Sequence, residues 1–158
     1  MKIGLLPSYS KIIVASEYAL EREAIIKLLT SEKELEIIAQ VSSANDIKEI
    51  LNSAISGDIL ILDADMSSLD IFEIMKLIKE KSPRLKVLLL TSKYDPERIM
   101  GAIFAGCLGY ISKNASATEL AKSVRALTRS EVWIERKLMS KVILRMSDFY
   151  FNTLSSRH

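Results

Sequence analysis

Polar residues follow the apolar runs of the chain, at the points where buried strands are expected to end. Asp63 and Asp65 follow one run, Thr91 follows the next, and Lys113 follows the last. Because the carboxyl ends of parallel strands lie at one edge of a sheet, we expect these side chains to converge. A carboxylate can attack phosphorus to form an acyl phosphate, and a lysine, a hydroxyl and a divalent metal can stabilise the transferring group. The set therefore predicts phosphoryl-transfer chemistry.

The composition excludes several other kinds of chemistry. The 158 residues are 49% apolar and 27% charged, and the net charge is only +2, which does not favour nucleic-acid binding. The single cysteine excludes a disulfide framework, and the single histidine, His158, excludes a Ser-His or Cys-His pair within the fold. Five glycines leave no Gly-rich nucleotide loop. Every apolar run is far shorter than the roughly 18–20 residues of a membrane span, so we expect a cytoplasmic protein that binds no membrane.

The elements that must position these residues alternate along the chain. Short apolar runs predict strands, and 3.6-residue periodicity between them predicts helices. The predicted strands are Ile12–Ala15, Leu35–Val41, Ile59–Leu62, Val87–Leu90 and Cys107–Ile111. Since the central runs are apolar on both faces, they need helices on both sides. The predicted fold class is α/β, a doubly wound sandwich around a five-stranded parallel sheet.

The intervening segments predict helices with defined buried faces and caps. Ser43, Asp95 and Ser116 are predicted N-caps, and Gly106 suits a left-handed position after a helix. The apolar positions expected to face the core share helical spacing. They are Leu20, Ala24, Ile25, Leu28 and Leu29; Ile47, Ile50, Leu51, Ala54 and Ile55, before a stop at Gly57; Phe72, Ile74, Met75 and Ile78; and Ala117, Leu120, Ala121, Val124 and Leu127.

The last segment lies outside these strand–helix units. Ile134, Leu138, Val142 and Met146 predict one more helix, which Trp133 would pack onto the domain or a partner. The stretch 149–158 shows no clear period. We therefore divide the chain into an N-terminal extension (1–10), one domain (11–130) and a linker helix (131–158).

Three segments carry a resemblance to a known family. They are 58–66 (Asp-Ile-Leu-Ile-Leu-Asp-Ala-Asp-Met), 90–92 (Leu-Thr-Ser) and 105–116 (Ala-Gly-Cys-Leu-Gly-Tyr-Ile-Ser-Lys-Asn-Ala-Ser). With these, the sequence resembles the receiver domain of two-component response regulators of the NarL/FixJ (LuxR) type. The third segment closely matches the family pattern A-G-A-x-G-Y-x-x-K-x-x-S. The resemblance covers about residues 11–130 and implies a flavodoxin-like receiver fold with sheet order 2-1-3-4-5.

The resemblance also implies roles for individual residues. Asp63 would accept a phosphoryl group from a sensor histidine kinase, Thr91 would be the switch hydroxyl, and Lys113 would contact the phosphate. Tyr110 would be the aromatic side chain whose rotamer follows Thr91. The family's working surface is usually the fourth helix, fifth strand and fifth helix, through which we expect a homodimer. Such a module is a switch and not a metabolic enzyme.

The resemblance implies a Mg²⁺ site as well, with one departure from the family pattern. The expected ligands are Glu17, Asp63 and the backbone carbonyl of Asp65. Ser16 stands where the family has an acidic residue, so it adds little to this set, and we expect weak Mg²⁺ binding. Ser67 and Ile71 also replace the usual Pro and Gly. An atypical receiver that acts through protein contacts without phosphorylation is therefore the alternative.

The C-terminal residues suggest what the chain belongs to. Leu154-Ser155-Ser156-Arg157 resembles the opening of the helix-turn-helix domain that follows the linker in NarL-type regulators. We therefore expect a receiver fragment of a longer transcription regulator that contacts DNA only through a domain absent here, with His158 a possible tag remnant.

A phosphatase of the haloacid-dehalogenase type is the rival from another class, because Asp63-Ala64-Asp65-Met66 approaches its D-x-D-x-[TV] motif. That motif belongs on the first strand, however, and the acidic pair required after the lysine is absent from Asn114–Ala117. A flavodoxin-like electron carrier lacks a phosphate-cradling loop after the first strand.

Overall fold

The computed structural model describes residues 9–156, in which strands and helices alternate as predicted. The strands are β1 (Ser10–Ala15), β2 (Leu35–Val41), β3 (Ile59–Asp63), β4 (Lys86–Thr91) and β5 (Gly109–Ser112). The helices are α1 (Ala19–Thr30), α2 (Ala44–Leu51), α3 (Ile71–Lys81), α4 (Pro96–Phe104), α5 (Ala117–Thr128) and α6 (Arg136–Ser155). Among these described helices, none combines the length and apolarity that a membrane span requires.

The strands form one parallel sheet of order β2-β1-β3-β4-β5, which confirms the predicted fold class and strand order. Successive residues of β3 pack into the hydrophobic cores on opposite faces of the sheet, because side chains alternate across a strand. Leu60 and Leu62 pack toward α2 and α3, and Ile59 and Ile61 pack toward α1 and α5. All four are fully buried, and each buried aliphatic side chain of this size contributes about 1.5–3 kcal/mol. The central strands are therefore rigid supports for the residues at their ends.

The predicted helix caps are confirmed. The side chains of Ser43, Asp95 and Ser116 each accept a hydrogen bond from the backbone N–H three residues ahead. Asp70 caps α3 in the same way, although the sequence had not singled it out. Each such cap contributes about 1 kcal/mol. Gly106 has φ +116° after α4, as expected for the left-handed position.

Three predicted buried faces, on α1, α3 and α5, are partly wrong. Leu20 is 82% exposed because it lies roughly 140° around α1 from Ile25, which faces the sheet. Phe72 is 63% exposed and lies over Gly101 of α4, since the row of α3 that meets the sheet begins at Ile71. Ala24 and Leu28 of α1 are exposed for the same reason of helical phase. Ala117 is also exposed, because it is the first residue of α5.

Helix α2 ends earlier than predicted, which leaves both Ala54 and Ile55 exposed, although both were predicted to face the core. The Asn52 side-chain amide donates to the Lys48 carbonyl at 2.9 Å, and the Ser53 hydroxyl donates to the Ile50 carbonyl at 2.7 Å. These side chains bond the last carbonyls of the helix and compete with its continuation.

The apolar packing of α6 on α4 is confined to the first turns of α6, and beyond them the Arg145 guanidinium donates to both carboxylate oxygens of Glu97 in α4 at 2.7 Å. Leu138 and Val142 are buried against Ile99 and Met100 of α4, whereas Met146, predicted to be buried, is exposed. The helix continues to Ser155, so most of the stretch without a clear period is helical. Arg157 and His158 lie outside the described residues, as do residues 1–8 of the N-terminal extension.

Trp133 joins α6 to the sheet, as predicted in outline. Its backbone N–H donates to the Leu108 carbonyl, and its carbonyl accepts from the Tyr110 N–H, both at 3.0 Å. This short parallel bridge covers the outer edge of β5. Part of the predicted dimer face, on α4 and β5, is therefore already in contact with this chain's own C-terminal segment.

Candidate functional site

The predicted site residues converge at the carboxyl edge of the sheet. In the parallel register, Asp63 of β3 lies opposite Leu90, and Thr91 of β4 lies opposite Ser112. Lys113 follows directly after β5, and its N–H donates to the Thr91 carbonyl at 2.9 Å. The backbone pairing of the strands therefore sets the spacing of Asp63, Thr91 and Lys113, independently of the contacts that their side chains make.

Lys113 is the centre of the site. Its Nζ lies 3.0 Å from Asp63 Oδ1, 3.2 Å from Asp65 Oδ2 and 2.9 Å from Glu21 Oε1. Burial of Lys113 disfavours the charged form, but the hydrogen bonds and the attraction to these carboxylates outweigh burial and raise its pKa. Lys113 therefore stays protonated, and its single ammonium group contacts three carboxylates.

Asp63 is the most buried acid of the site, with 1% of its surface exposed. Its Oδ1 accepts the Asp65 N–H at 2.9 Å as well as the Lys113 contact. Burial raises the pKa of Asp63, and this effect outweighs the opposing bonds from Lys113 and the Asp65 N–H. The arrangement holds a poorly hydrated carboxylate beside a fixed cation, which suits a nucleophile.

The Asp65 side chain enters the site, whereas the sequence had assigned a role only to its carbonyl. Oδ1 accepts from the Thr91 hydroxyl at 2.9 Å, and Oδ2 accepts from the Ser92 N–H at 2.8 Å and hydroxyl at 2.7 Å. Burial alone would raise the pKa of Asp65, but these bonds and Lys113 lower it to about 2. The Thr91 hydroxyl is thus already bonded to an anion.

The two residues after β1 behave differently from the expected acidic pair. Ser16 is fully buried, and its hydroxyl donates to Glu21 Oε2 at 2.6 Å. The Glu17 carboxylate accepts from the Ser67 N–H and hydroxyl, both at 3.2 Å. Sequence reasoning missed Glu21, whose pKa is lowered because the Ser16 and Lys113 hydrogen bonds outweigh its burial. The one feature of the sequence that could have indicated Glu21 is its position, because it is an acidic residue in the first turn of α1, and α1 begins at this edge of the sheet.

In this arrangement the acidic side chains are bonded to Lys113 and Ser67, so a divalent cation would have to compete with these two residues for the carboxylates. Carboxylate oxygens are the hard ligands that Mg²⁺ prefers. However, the carboxylates of Asp63, Asp65 and Glu21 converge on the Lys113 ammonium, and Glu17 is held by Ser67. Within residues 9–156, no three or more His, Cys, Asp or Glu side chains are grouped so that they could hold a metal ion.

Tyr110 lies between the site and α6. It is partly buried in the cluster that joins α4 to α6. Its ring centroid is 6.2 Å from that of Tyr94, whose hydroxyl donates to Glu135 Oε1 at 2.6 Å just before α6. Arg98 of α4 donates to the Ala64 carbonyl at 2.7 Å, directly after Asp63. The site is therefore in physical contact with the surface formed by α4 and α6.

Comparison with known proteins supports a single family. The family model for the response regulator receiver domain matches residues 12–125. The transcriptional regulatory protein LiaR of Bacillus subtilis is 26% identical over 136 residues, which cover 86% of this chain and 64% of LiaR. The response regulator protein VraR of Staphylococcus aureus is 29% identical over 138 residues, which cover 86% of this chain and 65% of VraR. The chain thus spans just under two thirds of the length of these relatives.

Solved structures share the fold. The isolated receiver (REC) domain of RcsB from Salmonella enterica, solved with the phosphomimetic BeF₃⁻, has a TM-score of 0.73 at 19% identity and covers 85% of this chain and 99% of that one. A LuxR-family two-component response regulator from Aurantimonas has a TM-score of 0.76 at 16% identity, and the match covers 89% of this chain and 99% of that one. Both likenesses support the receiver fold.

Proposed function

Because the chain belongs to the response regulator receiver domain family, we propose that it accepts a phosphoryl group on Asp63 from a sensor histidine kinase. The observation that carries this proposal is the buried Asp63 carboxylate held 3.0 Å from the Lys113 ammonium. Receiver domains are signalling modules, and the position of Asp63 at the end of the third strand supports this function over a haloacid-dehalogenase-type phosphatase.

In the proposed reaction, an Asp63 carboxylate oxygen attacks the phosphorus of a kinase phosphohistidine. A P–O bond to Asp63 forms, the P–N bond breaks, and the imidazole leaves with the bonding electron pair. Lys113 stabilises the negative charge on the phosphoryl oxygens, and it needs little reorganisation because it already lies beside Asp63. The Thr91 hydroxyl donates to another phosphoryl oxygen.

The proposal includes Mg²⁺ binding, but with low affinity. Receiver domains generally bind Mg²⁺ in their acidic pocket. In this chain Ser16 supplies no carboxylate, and Glu17 is engaged by Ser67. We therefore expect a lower Mg²⁺ affinity than a receiver with two acids at positions 16 and 17 would have.

Phosphorylation would change the surface near α4 and α6. Movement of Thr91 toward the phosphoryl group would leave room for Tyr110 to turn inward, and Tyr110 packs in the cluster that joins α4 to α6. The expected output is a homodimer through the face of α4, β5 and α5. Because α6 lies on α4, its exposed apolar side chains would be part of that contact: Ile143, Leu144, Phe149, Tyr150 and Phe151.

The wider role is that of a cytoplasmic transcription regulator. The relatives LiaR and VraR are named as regulators and are longer than the matched region. By analogy, phosphorylation here would control transcription through a DNA-binding domain.

Phosphorylation of the purified protein tests the proposal. Exposure to acetyl phosphate and Mg²⁺ should add one phosphoryl group, measured by intact mass, and hydroxylamine should remove it because acyl phosphates react with this nucleophile. Asp63→Asn should remain unmodified, and Asp148→Asn, on the exposed side of α6, should react like the wild type. No modification of the wild type would refute the proposal.

One observation favours the alternative of a receiver that acts without phosphorylation. Thr91 and Lys113, the two groups assigned to the phosphoryl oxygens, are both bonded to Asp65 in the unphosphorylated chain. A phosphatase, in contrast, would hydrolyse p-nitrophenyl phosphate with turnover, and we expect none.

A further inference from the structure

The Asp65 carboxylate has more partners than a strand-end residue needs. It accepts from the Thr91 hydroxyl at 2.9 Å, from the Ser92 N–H at 2.8 Å and from the Ser92 hydroxyl at 2.7 Å, and it lies 3.2 Å from Lys113 Nζ. These contacts join two strand ends through one anion.

The donors around Asp65 form a site for an oxyanion. One N–H, two hydroxyls and one ammonium converge on two oxygens, and charge-assisted bonds of this kind are stronger than neutral ones. A phosphoryl group presents the same chemistry, namely negatively charged oxygens that accept hydrogen bonds.

This anion lies beside Asp63, the residue on which the phosphoryl group is proposed to form. The Asp65 N–H donates to Asp63 Oδ1 at 2.9 Å, so the two acids are adjacent and both contact Lys113. The oxygens of a phosphoryl group on Asp63 would accept hydrogen bonds from Thr91 and Lys113, and the Asp65 carboxylate already accepts from both.

We propose that the Asp65 carboxylate is an internal surrogate for the phosphoryl group, which binds Thr91, the Ser92 N–H and Lys113 in the resting protein and competes with phosphorylated Asp63 for them. This inference rests on the proposed function and deepens it. Asp65 is a positioning residue that acts through Thr91 and Lys113. It draws the switch hydroxyl toward the acidic site without phosphorylation, so the modification changes the α4–α6 surface less than it would with a neutral residue at position 65.

Beryllofluoride, used with Mg²⁺ as a mimic of the phosphoryl group, tests the competition. Asp65→Ala removes the surrogate and keeps the backbone carbonyl, so its dissociation constant for beryllofluoride should be roughly tenfold lower than that of the wild type, equivalent to ~1.4 kcal/mol. Asp65→Asn keeps the shape without the charge and should lie between the two. Asp148→Asn removes one exposed carboxylate elsewhere and should bind like the wild type.

Two readouts separate this role from a merely structural one. Without ligand, Asp65→Ala should melt at a lower temperature than the wild type because it loses these hydrogen bonds, yet it should bind the mimic more tightly. In NMR spectra, the Ser92 amide and the Tyr110 ring should shift further on adding beryllofluoride in Asp65→Ala than in the wild type. A structural residue would lower stability and affinity together.

The outcomes distinguish this proposal from the proposed function. If the wild type binds beryllofluoride and Asp65→Ala binds it equally or more weakly, the surrogate role is refuted while phosphorylation of Asp63 stands. If neither the wild type nor the variants bind the mimic or accept a phosphoryl group, both proposals fail.

Discussion

The attachment of α6 to the domain can be tested with a single substitution, Leu138→Ala. Leu138 is 1% exposed and lies with Val142 against Ile99 and Met100 of α4. These are the two α6 residues that are fully buried, although the helix has 20 residues and is about 30 Å long. Beyond this packing, the Arg145 guanidinium of α6 donates to both carboxylate oxygens of Glu97 in α4 at 2.7 Å, but this pair is exposed, and exposed ion pairs contribute little to stability. The attachment therefore depends mainly on a few apolar side chains.

The expected magnitude follows from this packing. Full burial of one leucine and one valine contributes about 3–6 kcal/mol in total. Leu→Ala in a packed site costs about 2–5 kcal/mol, so Leu138→Ala should remove most of the free energy that this apolar packing contributes to holding α6 on α4. A detached helix of this length is only marginally stable in water. We therefore expect α6 to detach and fray while the sheet stays folded.

Amide hydrogen exchange measures this directly. In Leu138→Ala, protection of the α6 amides near Leu138 should fall about 100-fold, equivalent to ~2.7 kcal/mol. Protection of β3 should change much less. The fluorescence of Trp133, the single tryptophan, should also shift because it lies at the junction between β5 and α6.

The same substitution at an exposed position of the helix is the control. Leu144 is 66% exposed, so Leu144→Ala should change stability by no more than about 0.5 kcal/mol. Equal effects of the two substitutions, or unchanged protection in Leu138→Ala, would show that α6 is not held on α4 by this packing.

Two further predictions concern the core. Gly109→Ala should lower the free energy of unfolding in urea by about 1–3 kcal/mol, because the added methyl would lie 2.8 Å from Leu88 Cδ1 and 3.1 Å from Leu127 Cδ1. Gly101→Ala in α4 is the matched control and should be neutral or stabilising by up to ~1 kcal/mol, since the added methyl meets only the flexible end of Phe72. Burial raises the pKa of the Cys107 thiol to about 12, so at pH 8 it is protonated and should react with Ellman's reagent only after unfolding. Rapid labelling of the native protein would contradict that burial.

Much of the fold followed from local patterns in the sequence. Runs apolar on both faces indicated the central strands, and Ser43, Asp95 and Ser116 marked helix starts, because strand burial and capping depend on neighbouring residues in the chain. The buried faces of α1 and α3 could not be fixed in this way, since periodicity predicts which residues share one side of a helix but not which of them contact the sheet. Leu20 and Phe72 therefore turned out exposed.

The sequence by itself determined which groups would meet at the edge of the sheet, because parallel strand order brings Asp63, Thr91 and Lys113 together whatever their rotamers. Only the tertiary structure decided how they are paired. Ser16 and Lys113 draw the Glu21 carboxylate into the site, and Thr91, Ser92 and Lys113 do the same for Asp65. These contacts join residues from separate strands and loops. Their geometry depends on the hydrogen bonds and charges available after the strands have assembled, which no local pattern in the sequence encodes.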